Sequence, residues 1–486
     1  MLRLNRTRAT TLALCLFATA LSAPGLDAQG GMEFEFDGAT VGGKVTAKRA
    51  IKIELSGSMR FDAVLRNDRY FDAALGNAVD GSAAAPLGWD TDPSEGGGDW
   101  FLNPWISLNI DTQLADGVNA MFTLETPFDA FQDNVGGSGT GRTLDVDQAY
   151  VQWMGAFTPD LTLSVGIRDY AIDFAGNGEP FLLDVGNAES AFGNPGPGAE
   201  DFGAPMAPSS GLVGTQEAAG FLGELNMGDA ELDLFYFTLN ETFRADEDET
   251  LLGATLTYDF QTDDYEGQVG FVFFDLMNDQ SSSVWTWGGG GHLQGYRTGM
   301  KFYGEAYGQF GRYVNNLTGF GRIRQARSFA LMGGVRYQLP GFQDARPWLD
   351  ASYTEVSGDD NGDDSKNGNF ISLESNDDTI IMESAYYGYD IDTNYRAAKV
   401  KAGMNFSEDW SAEGVLGFFE LQDNSNGTAS NNTSSDKLGE ELDLTVHYRA
   451  TDYLNLSFGT GWLFNANALG VGSNASVTVF TAEIRC

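Results

Sequence analysis

The chain has 486 residues, with 28 Lys and Arg against 69 Asp and Glu, a net charge of −41 and 13% aromatic residues. That sign of charge excludes a nucleic-acid partner, because phosphate contacts are made by basic side chains. The aromatic content excludes a disordered chain. Sixty-two glycines and only 13 prolines fit strands joined by large acidic loops.

Residues 1–28 read as a secretory signal: Arg3, Arg6 and Arg8 form a basic start, Thr11 to Leu21 an apolar core, and Leu26-Asp27-Ala28 a cleavage site. The apolar run falls short of the ~18–20 residues that span a bilayer. Removing it leaves 25 basic against 68 acidic residues, a net charge of −43, and a single cysteine, Cys486, so no intrachain disulfide can form. An exported chain of this length without a disulfide needs a large core or a closed ladder of strands. In hydrocarbon, a barrel is the alternative to helices that satisfies every backbone donor and acceptor. Residues 29–50 form a lead-in that the pattern does not place.

From residue 51 onward, about eighteen alternating segments follow, each long enough to cross the hydrocarbon at a tilt. They are 51–66, 103–114, 118–127, 144–155, 160–170, 215–226, 230–239, 250–260 and 265–276, then 282–293, 298–312, 327–339, 346–357, 394–406, 410–421, 439–450, 453–464 and 474–485. Short connections fall at Ala115-Asp116-Gly117, Thr158-Pro159, Met227-Gly228-Asp229, Thr262 to Asp264, Ser407-Glu408-Asp409 and Thr451-Asp452. Longer ones (67–102, 128–143, 171–214, 313–326, 358–393, 422–438) lie between them. Alternation of short and long connections is the mark of an up-and-down outer-membrane barrel, with tight periplasmic turns and long outer loops. A soluble sandwich has no reason to sort its loop lengths in this way. The expected fold is all-β: a single up-and-down transmembrane barrel of about 18 antiparallel strands over 51–486.

Segment 394–406 shows the two walls most plainly. Ala398, Val400, Ala402, Met404 and Phe406 form an apolar face, and Lys399, Lys401, Gly403 and Asn405 a wet one. Aromatic residues near strand ends (Tyr258, Phe260, Tyr337, Trp348, Phe406, Trp410, Tyr448, Trp462) fit interfacial girdles. The run Phe480 to Cys486 alternates to its end and resembles the closing strand read by the barrel-assembly machinery, although that signal usually ends in an aromatic residue.

Tyr353 to Phe370 (YTEVSGDDNGDDSKNGNF), Tyr386-Tyr387-Gly388, Asn394 to Leu421 and Leu438 to Phe464 resemble the alginate-export family of outer-membrane proteins. Glu249 to Phe260 and Asp145 to Trp153 agree more loosely, and Gly166-Ile167-Arg168-Asp169 keeps only the arginine of an expected Gly-Arg-Gln-Glu-like strand. The resemblance implies an eighteen-stranded barrel that passes an anionic polysaccharide through a basic bore. It also implies a bacterial outer-membrane location.

Placing each strand's polar face inward makes Arg60, Arg66, Arg168, Lys301, Arg336, Lys399, Lys401 and Arg449 candidate contacts for an anionic solute, with Arg60, Arg66, Lys399 and Lys401 foremost. The inward acids nearly balance the inward cations, so the excess negative charge belongs to the loops, where salt screens it beyond about 8–10 Å. A bland reading stands beside this one: the charges pair across strands and keep the bore hydrated. In the loop 359–364, Asp359, Asn361 and Asp363 offer alternate oxygen ligands suited to Ca²⁺, without the EF-hand spacing. Such acidic loops also meet cations held by lipopolysaccharide. Neither His292 nor His447 has a nucleophile or metal-ligand partner in sequence, so no catalytic residue is assigned. The expected function is a monomeric, non-enzymatic outer-membrane channel for an anionic saccharide or other solute. A nonspecific diffusion porin and a surface barrel plugged by loops such as 171–214 are the alternatives.

Overall fold

The structure is a computed structural model. It describes residues 32–36, 49–66, 99–126, 145–178, 180–185, 218–240, 249–278, 282–315, 322–342, 345–358, 366–372, 378–384, 391, 393–423, 435–466 and 475–485. The expected signal and the candidate calcium ligands Asp359, Asn361 and Asp363 lie outside these residues.

The strands follow the alternation of the sequence. The first half holds β1 (Met32–Phe36), β2 (Arg49–Arg66), β3 (Asp99–Ala115), β4 (Val118–Glu125), β5 (Asp145–Met154) and β6 (Leu161–Ile167), then the short β7 (Tyr170–Ile172) and β8 (Leu183–Val185). It continues with β9 (Ala219–Asn226), β10 (Ala230–Asn240), β11 (Glu249–Gln261), β12 (Tyr265–Asn278) and β13 (Ser283–Gly295). The second half holds β14 (Met300–Asn315), β15 (Arg322–Gln338), β16 (Trp348–Val356) and the two-residue β17 (Lys366–Asn367). It ends with β18 (Tyr395–Asn405), β19 (Trp410–Leu421), β20 (Lys437–Arg449), β21 (Leu454–Phe464) and β22 (Ala475–Arg485).

Eighteen of these pair antiparallel in chain order, and β22 closes on β2 in a register from Ser58↔Arg485 to Arg66↔Val477. Closure removes the sheet edges, which is what lets strands sit in lipid. The overhanging start of β2 pairs instead with β1 (Met32↔Ile53), which gives part of the 29–50 stretch a place beside the ring. β3 and β15 run several residues longer than the sequence pattern indicates, and β6 stops at Ile167 because the chain turns inward there.

One face of the barrel strands is apolar, and large apolar side chains on it are exposed. Leu55, Leu108, Val151, Leu234, Leu252, Phe271, Phe302, Leu349, Val400, Leu416, Leu444, Phe458 and Phe480 are exposed around the outside. In water so wide an apolar belt would drive aggregation; in a bilayer it is the solvent-facing surface. Phe157, Tyr258, Tyr265, Tyr296, Phe342, Phe406, Trp410 and Tyr453 form an exposed aromatic girdle at the short-turn rim. Trp410 stacks on Tyr448 with ring centres 4.3 Å apart. Trp348 is not part of the girdle. It shares the inward face of β16 with Asp350, beneath the guanidinium of Arg336.

The interior is not an empty tube. The segment after β6 folds into the bore as the β7–β8 hairpin, and Phe174, Phe181, Leu182, Leu183 and Val185 are buried against Leu222, Phe235, Phe237, Leu251, Val272, Phe274 and Tyr307 on the inner wall. Each fully buried apolar side chain of this size contributes roughly 1.5–3 kcal/mol. The described residues 370–372, 378–384 and 391 also turn inward: Phe370, Ile381, Met382 and Ile391 are buried, Ile371 bonds Gln309 of β14, and Ile380 and Ile381 approach Gly461 of β21.

Candidate functional site

The first inward segment is fixed by polar contacts as well as by packing. Asp173 accepts from the backbone N–H groups of Gly176 at 2.6 Å, Asn177 at 3.3 Å and Gly178 at 2.7 Å. Gly176 and Gly178 have φ of 62° and 83°, so the turn needs residues without a Cβ. Ala175 N–H donates to Glu305 Oε1 at 2.7 Å, His292 Nδ1 lies 3.0 Å from the Phe174 carbonyl, and Lys301 donates to the Gly176 carbonyl. At the hairpin's start, Tyr170 Oη donates to Asp233 at 2.9 Å.

Buried charges anchor the second segment. Lys399 Nζ lies 2.8 Å from Glu383 Oε1 and 2.5 Å from Asp378 Oδ2, and Lys401 also pairs with Asp378. On β20, Glu441 accepts from the N–H groups of Ile381 at 2.6 Å and Met382 at 2.9 Å, and Asp443 from that of Ile380 at 3.1 Å. The glycines of β21 leave room for the approach: a Cβ at Gly461 would sit 3.2 Å from Ile380 Cβ.

The short-turn end of the bore opens into a cavity of about 1040 Å³ whose lining includes Arg60, Arg346, His447, Arg449 and Arg485, with Glu408, Asp409 and Glu483 among them. Arg60 Nε pairs with Asp62 at 3.0 Å, Arg449 with Asp409 at 3.3 Å and Arg485 with Glu483 at 2.7 Å. Arg449 and Arg485 stay at least half exposed despite these partners, so water screens the pairs and the guanidinium groups still face the cavity.

The sequence-predicted contacts therefore divide. Arg60 and Arg449 meet in the mouth cavity. Lys399 and Lys401 meet at Asp378, where Lys399, 2% exposed, is engaged by the inward segment. Lys301 holds the first segment, and Arg336 lies 4.0 Å from the centre of the Trp348 ring, a cation–π contact. Arg168 bonds Ser164 at 2.7 Å and Glu224 through both guanidinium nitrogens, and lies over the Tyr150 ring. Arg66 pairs in register with Asp99 and Val477 at the far end of β2. Sequence reasoning missed Arg346, which sits in the turn after β15 at φ 39°, off any alternating pattern. It weighed His447 only as a catalytic or metal residue and gave it no role; the structure puts it in the cavity lining, 3.8 Å from Glu413. Among the described residues no group of three or more His, Cys, Asp or Glu is placed to hold a metal ion.

A closed antiparallel barrel, apolar outside and charged within, is an outer-membrane channel of bacteria. The chain belongs to the alginate-export family, whose model ("Alginate export") matches residues 224–482, more than half its length. No curated protein matches the chain. Solved structures that resemble it include OccK11 (OpdR) of Pseudomonas aeruginosa, 12% identical with a TM-score of 0.48, over 89% of this chain and 96% of that one. OprB of Pseudomonas putida is 8% identical with a TM-score of 0.45, over 89% and 94%. The outer membrane channel DcaP of Acinetobacter baumannii is 12% identical with a TM-score of 0.41, over 90% and 97%.

Proposed function

We propose that the protein conducts anionic solutes, with an acidic saccharide of the alginate-export type as the class, through its short-turn mouth. The observation that carries this reading is the roughly 1040 Å³ cavity lined by Arg60, Arg346, His447, Arg449 and Arg485. A polyanion presents carboxylates at regular intervals, and half-exposed guanidinium groups bind carboxylates without burying them irreversibly. The protein's work here is passage, not bond chemistry.

Planar-bilayer recording tests it. The wild-type channel in a salt gradient is expected to show an anion-directed reversal potential, and short oligouronates added on the short-turn side to reduce the current. Arg449→Glu with Arg485→Glu is expected to move the reversal potential toward cations and weaken the block. An unmoved potential and undiminished block would leave these arginines structural. A second reading, a barrel plugged by its loops, is favoured by the two inward segments, and the absence of any single-channel current would select it.

A further inference from the structure

In the short-turn half, the described inward charges of the β10–β12 side are acids, whereas on the β20–β22 side arginines stand among acids. On one side stand Glu231 and Asp233 of β10, Asp259 of β11 and Glu266 of β12, each within three residues of its strand's short-turn end. Glu231 and Asp259 are exposed. Asp259 accepts from Gln268 at 2.9 Å and Glu266 from Tyr296 Oη at 2.6 Å, polar contacts that hold the carboxylates without neutralising them. Between Tyr70 and Tyr296 the only Lys or Arg residues are Arg142, Arg168 and Arg244. Of these, Arg168 is the one at a described inward position, and it pairs with Glu224.

The cations lie opposite, each beside an acid: Arg449 with Asp409, Arg485 with Glu483 and Arg60 with Asp62, the first two guanidinium groups still at least half exposed. In the ring of eighteen barrel strands, β10 and β20 are nine places apart, and so are β12 and β22. Nine of eighteen is half the circumference. Glu231 therefore stands across the ring from Arg449, and Glu266 from Arg485, with Arg60 on the next strand round.

We propose that these opposed walls admit and align zwitterionic solutes, small molecules carrying a carboxylate and an ammonium, with the carboxylate toward β20–β22 and the cation toward β10–β12. The inference rests on the barrel being a conducting channel. A small anion is attracted at one wall only, and a small cation only at the other. A solute with both charges is attracted at both ends, and a low-dielectric wall focuses such fields within the mouth. The effect is confined to low and moderate salt, because the screening length falls to about 3 Å at 1 M.

Proteoliposome swelling with the full chain tests this. The probes are 4-aminobutanoate and 6-aminohexanoate, each against a neutral amide of matched size, at low salt and at 1 M salt. The zwitterions are expected to enter about threefold faster than their neutral controls at low salt, with the advantage lost at 1 M. The triple variant Glu231→Gln, Asp259→Asn, Glu266→Gln is expected to bring the ratio to one while the neutral amide enters as before. Equal entry of zwitterion and amide into wild-type liposomes, or a ratio untouched by the triple variant, overturns the proposal and leaves the channel standing. No entry of any solute would instead overturn the channel reading, and this inference with it.

Discussion

Lys399, on the inward face of β18, and Glu383, in the segment folded into the bore, are each 2% exposed and lie 2.8 Å apart. A strand lysine that sequence alternation assigns to solute contact is thus spent holding a loop inside the barrel. Asp378 joins the same lysine and also engages Lys401, so one cluster ties the loop to the wall.

Removing the lysine leaves Glu383 buried without that positive charge, and Asp378 with Lys401 alone of the two lysines. Breaking a buried pair from one side typically costs about 3–5 kcal/mol. Lys399→Met should therefore detach the 378–384 segment while the strand ladder stays closed. The expected readout is a larger single-channel conductance with an unchanged barrel melting transition. Double replacement with Glu383→Met should recover much of the wild-type conductance.

The other inward segment depends on space. Gly270 of β12 faces Phe174, and a Cβ there would overlap the phenylalanine ring. Gly270→Val should push the β7–β8 hairpin off the wall. Limited proteolysis from outside intact cells should then cut near Phe174, where the wild-type chain resists.

Acidity should tighten the same hairpin. Asp169, between β6 and β7, has its pKa raised from 3.8 to about 7 by burial, with Asp147 and Asp184 adding repulsion. A carboxyl whose folded pKa is raised favours the folded arrangement when protonated. Its contribution is complete below about pH 4 and is lost as the pH climbs through 7. Open-channel noise is expected to be greater at pH 8 than at pH 5, and Asp169→Asn should flatten that dependence. Equal pH dependence in the variant would show that another group is responsible.

At the barrel seam, Asp62 is 1% exposed and bonds both Arg60 Nε at 3.0 Å and Thr481 Oγ1 at 2.6 Å. Asp62→Asn keeps an acceptor for the threonine and relieves Arg60 of this counter-charge. The reversal potential is expected to move toward anions by a few millivolts. A shift toward cations would mean that Arg60 does not reach the conduction path.

The strand walls were legible because period-two alternation records which solvent each side meets. The two faces around Lys399 and Lys401 could be read directly, and the sorting of loop lengths fixed an even, up-and-down topology. Even the glycine run Gly288 to Gly291 was readable as strand, because glycine weakens a ladder without ending it. Its use was not readable: a Cβ at Gly288 would meet Tyr307, and Gly290 sits over Glu305, beside the first inward segment.

Alternation by itself determined that one side of each strand meets lipid and the other the bore, since those environments differ along every strand. It did not determine which inward charges remain available to a solute. That was decided where distant segments meet, as with Glu383 on Lys399 and Asp409 on Arg449. Loop side chains carry no periodicity, and only the closed ring sets which strands stand opposite one another.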